Sequence, residues 1–447
     1  MFETDFQETF FDAVVIGGGI AGLTAAVRLG QAGRRVLVLE RAPRLGGRAD
    51  TADHDGYRLN LGPHALYRDG HAARTFAELG VPVAGANPVN RLFLVRNGEM
   101  YAPSGSPLAL LFTRAISFGA KIEAARFLMK LGKLDPAPLD RVTVDDWLAT
   151  AVRRPDTRLF MKTFIRLSTY ASATDRMSAG AIVRQLQTGQ KGVLYLHDGW
   201  KTLVDGLANA AEATGVEILT NAGVETVARR PEGFELRLTD ARRFAARAII
   251  VAGSPALAAK LFPASATLRT AAESAIPVTA ACLDLAFRRL PFPKRTGGLG
   301  LDRPLYYSVH SAAASLAPTG GAVLHAAFYR APENNPSHAD IRRELETMID
   351  AAQPGWRSEI VHERFMPALT VAHWLPTAET GGLAGRPSAV VADAPGVYIA
   401  GDWVGGTGML VDASTASATE AASRVNAECG ISNAEFSENQ KRHSVVA

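Results

Sequence analysis

Cysteine is almost missing from this chain: Cys282 and Cys429 are the only two in 447 residues. Two cysteines so far apart make no disulfide framework, no CxxC zinc site and no iron–sulfur cluster. They fit a reducing compartment, so a cytoplasmic location is expected. A large charge excess is missing as well. Forty-eight basic against 44 acidic residues leave a net charge of +4, too little for a nucleic-acid footprint. The longest uncharged run, residues 304–329, is broken by Pro, Gly, Ser and two His, so it predicts strands and loops rather than a membrane span. The opening MFETDFQETF has acids and no positive cluster, and no signal peptide is expected. HExxH, Walker A and GxSxG motifs are absent, and the ten histidines show no metal-ligand spacing. No metal is expected.

What is present is concentrated at the two ends. Residues 12–17, DAVVIG, form a short β-branched run that predicts a buried parallel strand. Gly17-Gly18-Gly19-Ile20-Ala21-Gly22 follows, then a small-residue helical pattern ending near Gly33, then RRVLVLE ending in Glu40. In such a unit Gly17 makes the tight turn, Gly19 lets backbone approach a pyrophosphate, and Gly22 lets helix and strand pack closely. The helix N-terminus, at Ile20 and Ala21, offers free N–H groups to phosphate. Glu40, 18 residues after Gly22, is placed to accept from a ribose diol. A second glycine pair, Gly46-Gly47, precedes Arg48. It lets backbone approach the same pyrophosphate, with Arg48 and Arg41 to neutralise charge; Arg44 reads as surface charge.

At the other end, VYIAG predicts a strand, followed by Gly401-Asp402, a glycine loop, Met409-Leu410 and a helix rich in Ala and Ser. Ligands of open α/β sheets bind at the carboxyl ends of strands, where Gly401 and Asp402 fall. A helix N-terminus near Met409 would stabilise negative charge on a reduced ring.

GGGIAG…E…LGGR together with YIAGDW…G…A…A resembles the FAD-dependent amine oxidase, protoporphyrinogen oxidase and phytoene desaturase superfamily. The middle agrees: HDGWKTL (197–203), GVEI (215–218), NAGV (221–224) and ARAIIVAGSP (246–255) resemble its internal blocks. The resemblance implies an α/β fold, with a Rossmann-like FAD-binding domain and a discontinuous α+β substrate domain of mixed sheet and helical lid. The boundaries expected are 1–85, 195–275 and 375–430 for FAD, 86–194 and 276–374 for substrate, and a frayed polar tail over 431–447. It implies Gly17, Gly19, Gly22, Gly46, Gly47 and Arg48 on the pyrophosphate, Glu40 on the ribose, and the Val224 backbone at the adenine. It implies Asp402 on the ribityl-pyrophosphate region and the Met409 and Leu410 amides near the pyrimidine edge of the flavin. Asp198 stands where the family usually has glycine. No cysteine falls in 401–412, so non-covalent FAD is expected.

In relatives the segment matching Asn60–Tyr67 runs beside the flavin ring, which implies Gly62, Pro63 and His64 there. His64 acts as base or substrate orienter in one reading, and is bonded within its loop in the other. Trp374 is expected as a pocket wall; Trp403 as ring neighbour or core; Tyr306, Tyr307 and Tyr329 as weaker candidates. No lysine corresponds to the one that some amine oxidases place near the flavin.

The expected activity is FAD-dependent oxidation of a largely apolar small molecule, with oxygen, a quinone or another carrier as acceptor. Alternatives are an amine or amino-acid oxidase, a redox-neutral flavin isomerase or saturase, and a flavin-free lipid-partner binding protein of the dissociation-inhibitor type. Residues 107–134 carry five cations against Glu123. They read either as a peripheral membrane contact or, the favoured reading, as helices covering the substrate cavity. An Asn97-Gly98 hairpin, a helix capped by Thr143 and a helix over 338–352 are also expected.

Overall fold

The structure, a computed structural model, describes residues 10–89, 91–101, 113–333 and 335–444, with side chains up to residue 428. Cys429 and the stretch 107–112 of the basic segment lie outside the described side chains and residues respectively.

The chain opens with β1 (Phe10–Ile16), α1 (Ile20–Gln31) and β2 (Val36–Leu39). Then come β3 (Thr51–His54), β4 (Tyr57–Asn60), β5 (Leu66–Tyr67), α2 (His71–Glu78) and β6 (Gly85–Ala86). The hairpin β7 (Leu92–Arg96) and β8 (Glu99–Tyr101) leads to four helices: α3 (Phe118–Leu131), α4 (Val144–Ala151), α5 (Pro155–Thr169) and α6 (Ala179–Gly189). After β9 (Val193–Leu196) and α7 (Lys201–Glu212), the chain adds β10 (Glu217–Leu219), β11 (Val224–Arg230), β12 (Gly233–Leu238) and β13 (Arg243–Val251). The remainder of the chain holds α8 (Pro255–Leu261), α9 (Ala266–Ser274), β14 (Val278–Phe287), β15 (Gly297–Gly300), β16 (Leu305–Val309), β17 (Ala322–Tyr329), α10 (His338–Ala352), β18 (Ile360–Ala372), β19 (Val397–Ile399) and α11 (Val411–Ser444).

Two seven-stranded sheets organise these elements. The first has the order β10-β2-β1-β13-β12-β11, with β19 also on β13. Its central strands run parallel and are buried on both faces, which is why β1 and β2 read as continuous apolar runs. Their carboxyl ends meet along one edge, where Gly17, Glu40, Ala252 and Gly401 lie. The second sheet runs β18-β14-β17-β16-β15-β7-β8 and is mostly antiparallel. The fold is therefore mixed α/β, as expected. One core surrounds the first sheet and α1, and a second joins the inner face of the other sheet to α3–α6.

Several local expectations hold. Asn97 and Gly98 take φ of 52° and 78°, the mirror-image turn that suits a two-residue hairpin. The Thr143 side chain accepts from Asp146 N–H at the start of α4. One expectation fails. Residues 431–444 continue α11 as helix rather than fraying. No Pro or Gly follows Gly430 there, and Glu, Gln, Lys and Arg are good helix formers. With Ile431, Ala434 and Phe436 as its apolar residues, the segment carries no helical apolar period to read.

Candidate active site

One elongated cavity of about 930 Å³ runs from the carboxyl edge of the first sheet to the inner face of the second. Gly17 begins it, with φ +115° and an ideal Cβ only 2.7 Å from Ala252 O. A Cβ on Gly22 would lie 1.9 Å from Gly17 O, so α1 sits against the turn as only glycine permits. α1 has no side-chain cap and no acid in its first turn. Its first N–H groups lack intrahelical acceptors, and Ile20 and Ala21 line the cavity. The turn at Gly46 comes alongside, with Gly46 N–H donating to Gly18 O at 2.9 Å. Two glycine turns and an uncapped helix end thus form a cradle with the chemistry of a pyrophosphate site.

At one end Glu40 accepts from Gly18 N–H and Ala42 N–H, both at 2.8 Å. Arg41, Val224, Thr239 and Lys260 line the same end. Further along, Arg48 Nη1 donates to Asp402 Oδ2 at 2.5 Å and to Val371 O at 2.7 Å. His373 meets the same carboxylate through its N–H at 3.2 Å and Nδ1 at 3.1 Å. Burial opposes the Asp402 charge, but the Arg48 cation and His373 outweigh it and hold the carboxyl well below its ordinary range. Arg48 therefore shares its charge with Asp402. Arg386 Nη1 donates to Gly408 O at 2.9 Å, which pins the glycine loop beyond.

The far end is lined by Pro63, His64, Tyr67, Tyr170, Cys282 and Leu369, among others. The two His64 nitrogens face Gly62 O and Arg48 O, each at 3.1 Å, and its ring meets Trp200 edge-on at 5.0 Å. Burial lowers His64 to about 4, so the ring is neutral at neutral pH. Tyr170 caps α5 with φ 59° and donates to Pro63 O at 3.0 Å. Tyr67 donates to Ser168 O at 3.1 Å. Burial pushes Tyr67 up to about 12, and Tyr170 and the Cys282 thiol well above their ordinary values. The side chains of this end are thus uncharged.

Most sequence-derived residues line this cavity: Gly17, Gly19, Ile20, Ala21, Glu40, Arg41, Gly46, Gly47, Arg48, Pro63, His64, Val224, Gly401, Asp402 and Leu410. Gly22 and Gly62 act one layer behind, where a Cβ would strike Gly17 O or Cys282 Sγ. Met409 packs into the core of the second sheet. Trp374 is a correction: it is 4% exposed in the first sheet's core and is not among the lining residues. The wall indole is Trp200, whose backbone N–H donates to Asn60 Oδ1 at 3.0 Å and so fixes the chain there. Trp403 is core, donating to Gly253 O. Tyr306, Tyr307 and Tyr329 are buried within the second sheet. Asp198, in place of glycine, still takes a left-handed φ of 61°. Tyr67, Tyr170, Trp200, Cys282 and Leu369 were not anticipated as wall residues. Tyr67 and Trp200 lie inside quoted motifs, whereas the others have no local signature.

A glycine cradle at the switch edge of a parallel sheet, with a carboxylate beyond β2 and a closed apolar end, defines a dinucleotide-cofactor oxidoreductase. Comparison with known proteins gives the family. The profile of the flavin containing amine oxidoreductases matches residues 20–426, and the chain belongs to that family. It is an FAD-dependent oxidoreductase. It is 25% identical over 412 residues to 4,4'-diapolycopen-4-al dehydrogenase of Metabacillus indicus, across 77% of this chain and 81% of that one. It is 26% identical over 279 residues to phytoene desaturase of Cercospora nicotianae, covering 53% of this chain and 44% of the relative. The fold is that of putrescine oxidase bound to putrescine, with a TM-score of 0.74 at 17% identity over 94% of this chain and 99% of that one.

Proposed function

We propose that the protein dehydrogenates or desaturates a neutral, largely apolar small molecule, with FAD held non-covalently as the acceptor. The observation that carries this is the uncharged far end of the cavity: tyrosines, leucine, proline, a neutral histidine and a protonated thiol. Lys260 is the only lysine among the described lining residues, and it lies on α8, after β13. FAD, when bound, supplies a two-electron acceptor at its ring.

The chain's own residues do the rest. The Gly17–Ala21 and Gly46–Gly47 turns and the α1 N-terminus would hold the pyrophosphate, and Glu40 the ribose. Asp402, locked by Arg48 and His373, would face the ribityl hydroxyls. Pro63, Tyr67, Tyr170 and Leu369 would orient the substrate and exclude water. Both His64 nitrogens already face carbonyls, which supports an orienting role over that of a base. We further assign residues 1–85, 195–275 and 375–430 to the FAD domain and 86–194 and 276–374 to the substrate domain.

Anaerobic bleaching of the flavin spectrum by a panel of polyenes and of amines tests this reading. Bleaching by apolar polyenes without ammonia release is the expected result; bleaching by amines alone, with peroxide and ammonia on admitting air, overturns it. Re-oxidation with oxygen or a quinone then identifies the acceptor. Acid precipitation should release FAD to the supernatant.

A lipophilic substrate needs a route in. α3 turns Phe118 (66% exposed), Ile122 and Met129 (72% exposed) to the outside, with Arg126, Lys130 and Lys133 exposed nearby. Lys121 is buried and Glu123 is engaged by the N–H groups of Arg153 and Arg154. What remains outside is apolar and cationic, which suits an anionic lipid surface. Among the described residues no helix is long and apolar enough to cross a membrane.

A further inference from the structure

Behind the far end of the cavity a polar row crosses the second sheet. Register places Arg364 (β18) beside Asp284 (β14), Asp284 beside His325 (β17), and His325 beside Ser308 (β16). Asp284 and His325 are wholly buried. His325 Nδ1 lies 2.7 Å from Asp284 Oδ1, and Arg364 Nη2 donates to Asp284 Oδ2 at 2.7 Å. Ser308 closes the row on the Tyr195 hydroxyl at 3.2 Å. A buried ion pair is weak evidence for stability, because desolvation offsets most of the attraction. This one is explained by what it touches.

Arg364 also donates to Asn60 O, and Gly62 N–H donates to Asp284 Oδ2 at 3.3 Å. Both contacts fall on the loop that carries Pro63 and His64 into the cavity wall. Gly62 is used twice: its N–H meets Asp284, and its carbonyl meets His64 Nδ1. Its φ of +76° and the 2.8 Å approach of an ideal Cβ to Cys282 Sγ leave room only for glycine. Cys282 and Asp284 are two apart on β14, so one strand face supplies both a wall residue and the clamp behind the wall.

We propose that Asp284 is a positioning residue for the flavin end of the cavity. Through the Gly62 peptide it fixes the Pro63–His64 wall and the orientation of the His64 ring, and its charge, balanced by Arg364, sets the field there. This rests on the flavin reading above, but its first test does not need flavin.

That test is the ¹⁵N spectrum of the His64 ring, assigned with His64→Asn, in wild type and in Asp284→Asn. The His64 nitrogen shifts should move in the variant, with or without cofactor. The second test is sulfite, which adds to the flavin ring and increases its negative charge. An Arg364 cation left without its counter-charge favours the more negative adduct, and an uncompensated unit charge at an effective dielectric of ~20 shifts such an equilibrium by about tenfold. Sulfite should therefore bind Asp284→Asn about tenfold more tightly, with altered visible circular dichroism of the flavin. If Asp284→Asn does not fold, the charge-free pair Asp284→Asn/Arg364→Gln replaces it in the ¹⁵N test. Unchanged His64 shifts in a folded variant overturn the proposal, as does unchanged sulfite affinity in a flavin-loaded Asp284→Asn. A wild-type protein that binds no FAD overturns the flavin reading instead, and the His64 shifts still decide the role of Asp284.

Discussion

Arg48 and Asp402 stand 354 positions apart in sequence and meet at 2.5 Å, with Asp402 only 2% exposed. The pair joins the second glycine turn to the carboxyl end of β19, so one salt bridge closes the cofactor cavity from both ends of the chain. Removing one partner of a buried pair costs about 3–5 kcal/mol, because the other charge is stranded. Arg48 is itself 37% exposed, so Arg48→Met should cost less, about 2 kcal/mol. Equilibrium unfolding of the apoprotein measures this, and FAD retention on gel filtration should fall with it.

Asp412 is shifted the opposite way from Asp402, whose carboxyl is held low. Burial raises its carboxyl to about 6, against the accepted N–H of Ala72. An acid whose folded pKa is raised favours the folded state when protonated. Its cost is absent below the unfolded value of 3.8, grows between there and about 6, and is complete above. Asp412→Asn keeps an acceptor for Ala72, so it should stabilise the protein by about 1–3 kcal/mol at pH 8 and by nothing at pH 3.5. Melting curves at the two pH values check it; equal shifts at both would refute it.

Gly22→Ala should abolish FAD binding, since its Cβ would sit 1.9 Å from the Gly17 carbonyl in rigid backbone. Gly33→Ala meets no neighbour within 4 Å but carries φ +72°. It should bind FAD normally and lose only about 1 kcal/mol. Flavin fluorescence titration separates the two.

Tyr170→Phe should change the cavity and Trp374→Phe should not. The first leaves Pro63 O without its donor, worth about 1 kcal/mol, on the wall beside His64. The second removes an indole whose Nε1 has no partner, inside the core. Visible circular dichroism and the rate of flavin bleaching should shift for Tyr170→Phe alone. Trp374→Phe should show a lower melting temperature and an unaltered flavin.

Phe118→Ser with Met129→Ser should reduce co-sedimentation with anionic vesicles several-fold, and added salt should weaken the wild type. Equal binding of both proteins would remove α3 from the lipid surface.

The cofactor cradle was legible because its signal is local. Strand, glycine turn, helix, strand and acid follow one another within residues 12–40, and each residue type is dictated by backbone conformation or close approach. The far end was not. Cys282 and Leu369 reach the wall because β14 pairs with β18, and Tyr170 because a helix ends there in a left-handed turn. No short window of sequence contains those relations. Trp374 misled for the same reason: its neighbour His373 faces the cavity, and a change of one position reverses the side.

The arrangement of the first sheet also bears on how the protein is made. β13 pairs with β1 across more than two hundred positions, and β19 joins it only from residue 397 onward. During translation the glycine cradle therefore leaves the ribosome long before Asp402 exists to lock Arg48. β2 finds β1 and β10 earlier, whereas β13 keeps one edge open until β19 has been made. Contacts so distant in sequence form slowly, so cofactor loading waits until β19 and Asp402 have been made.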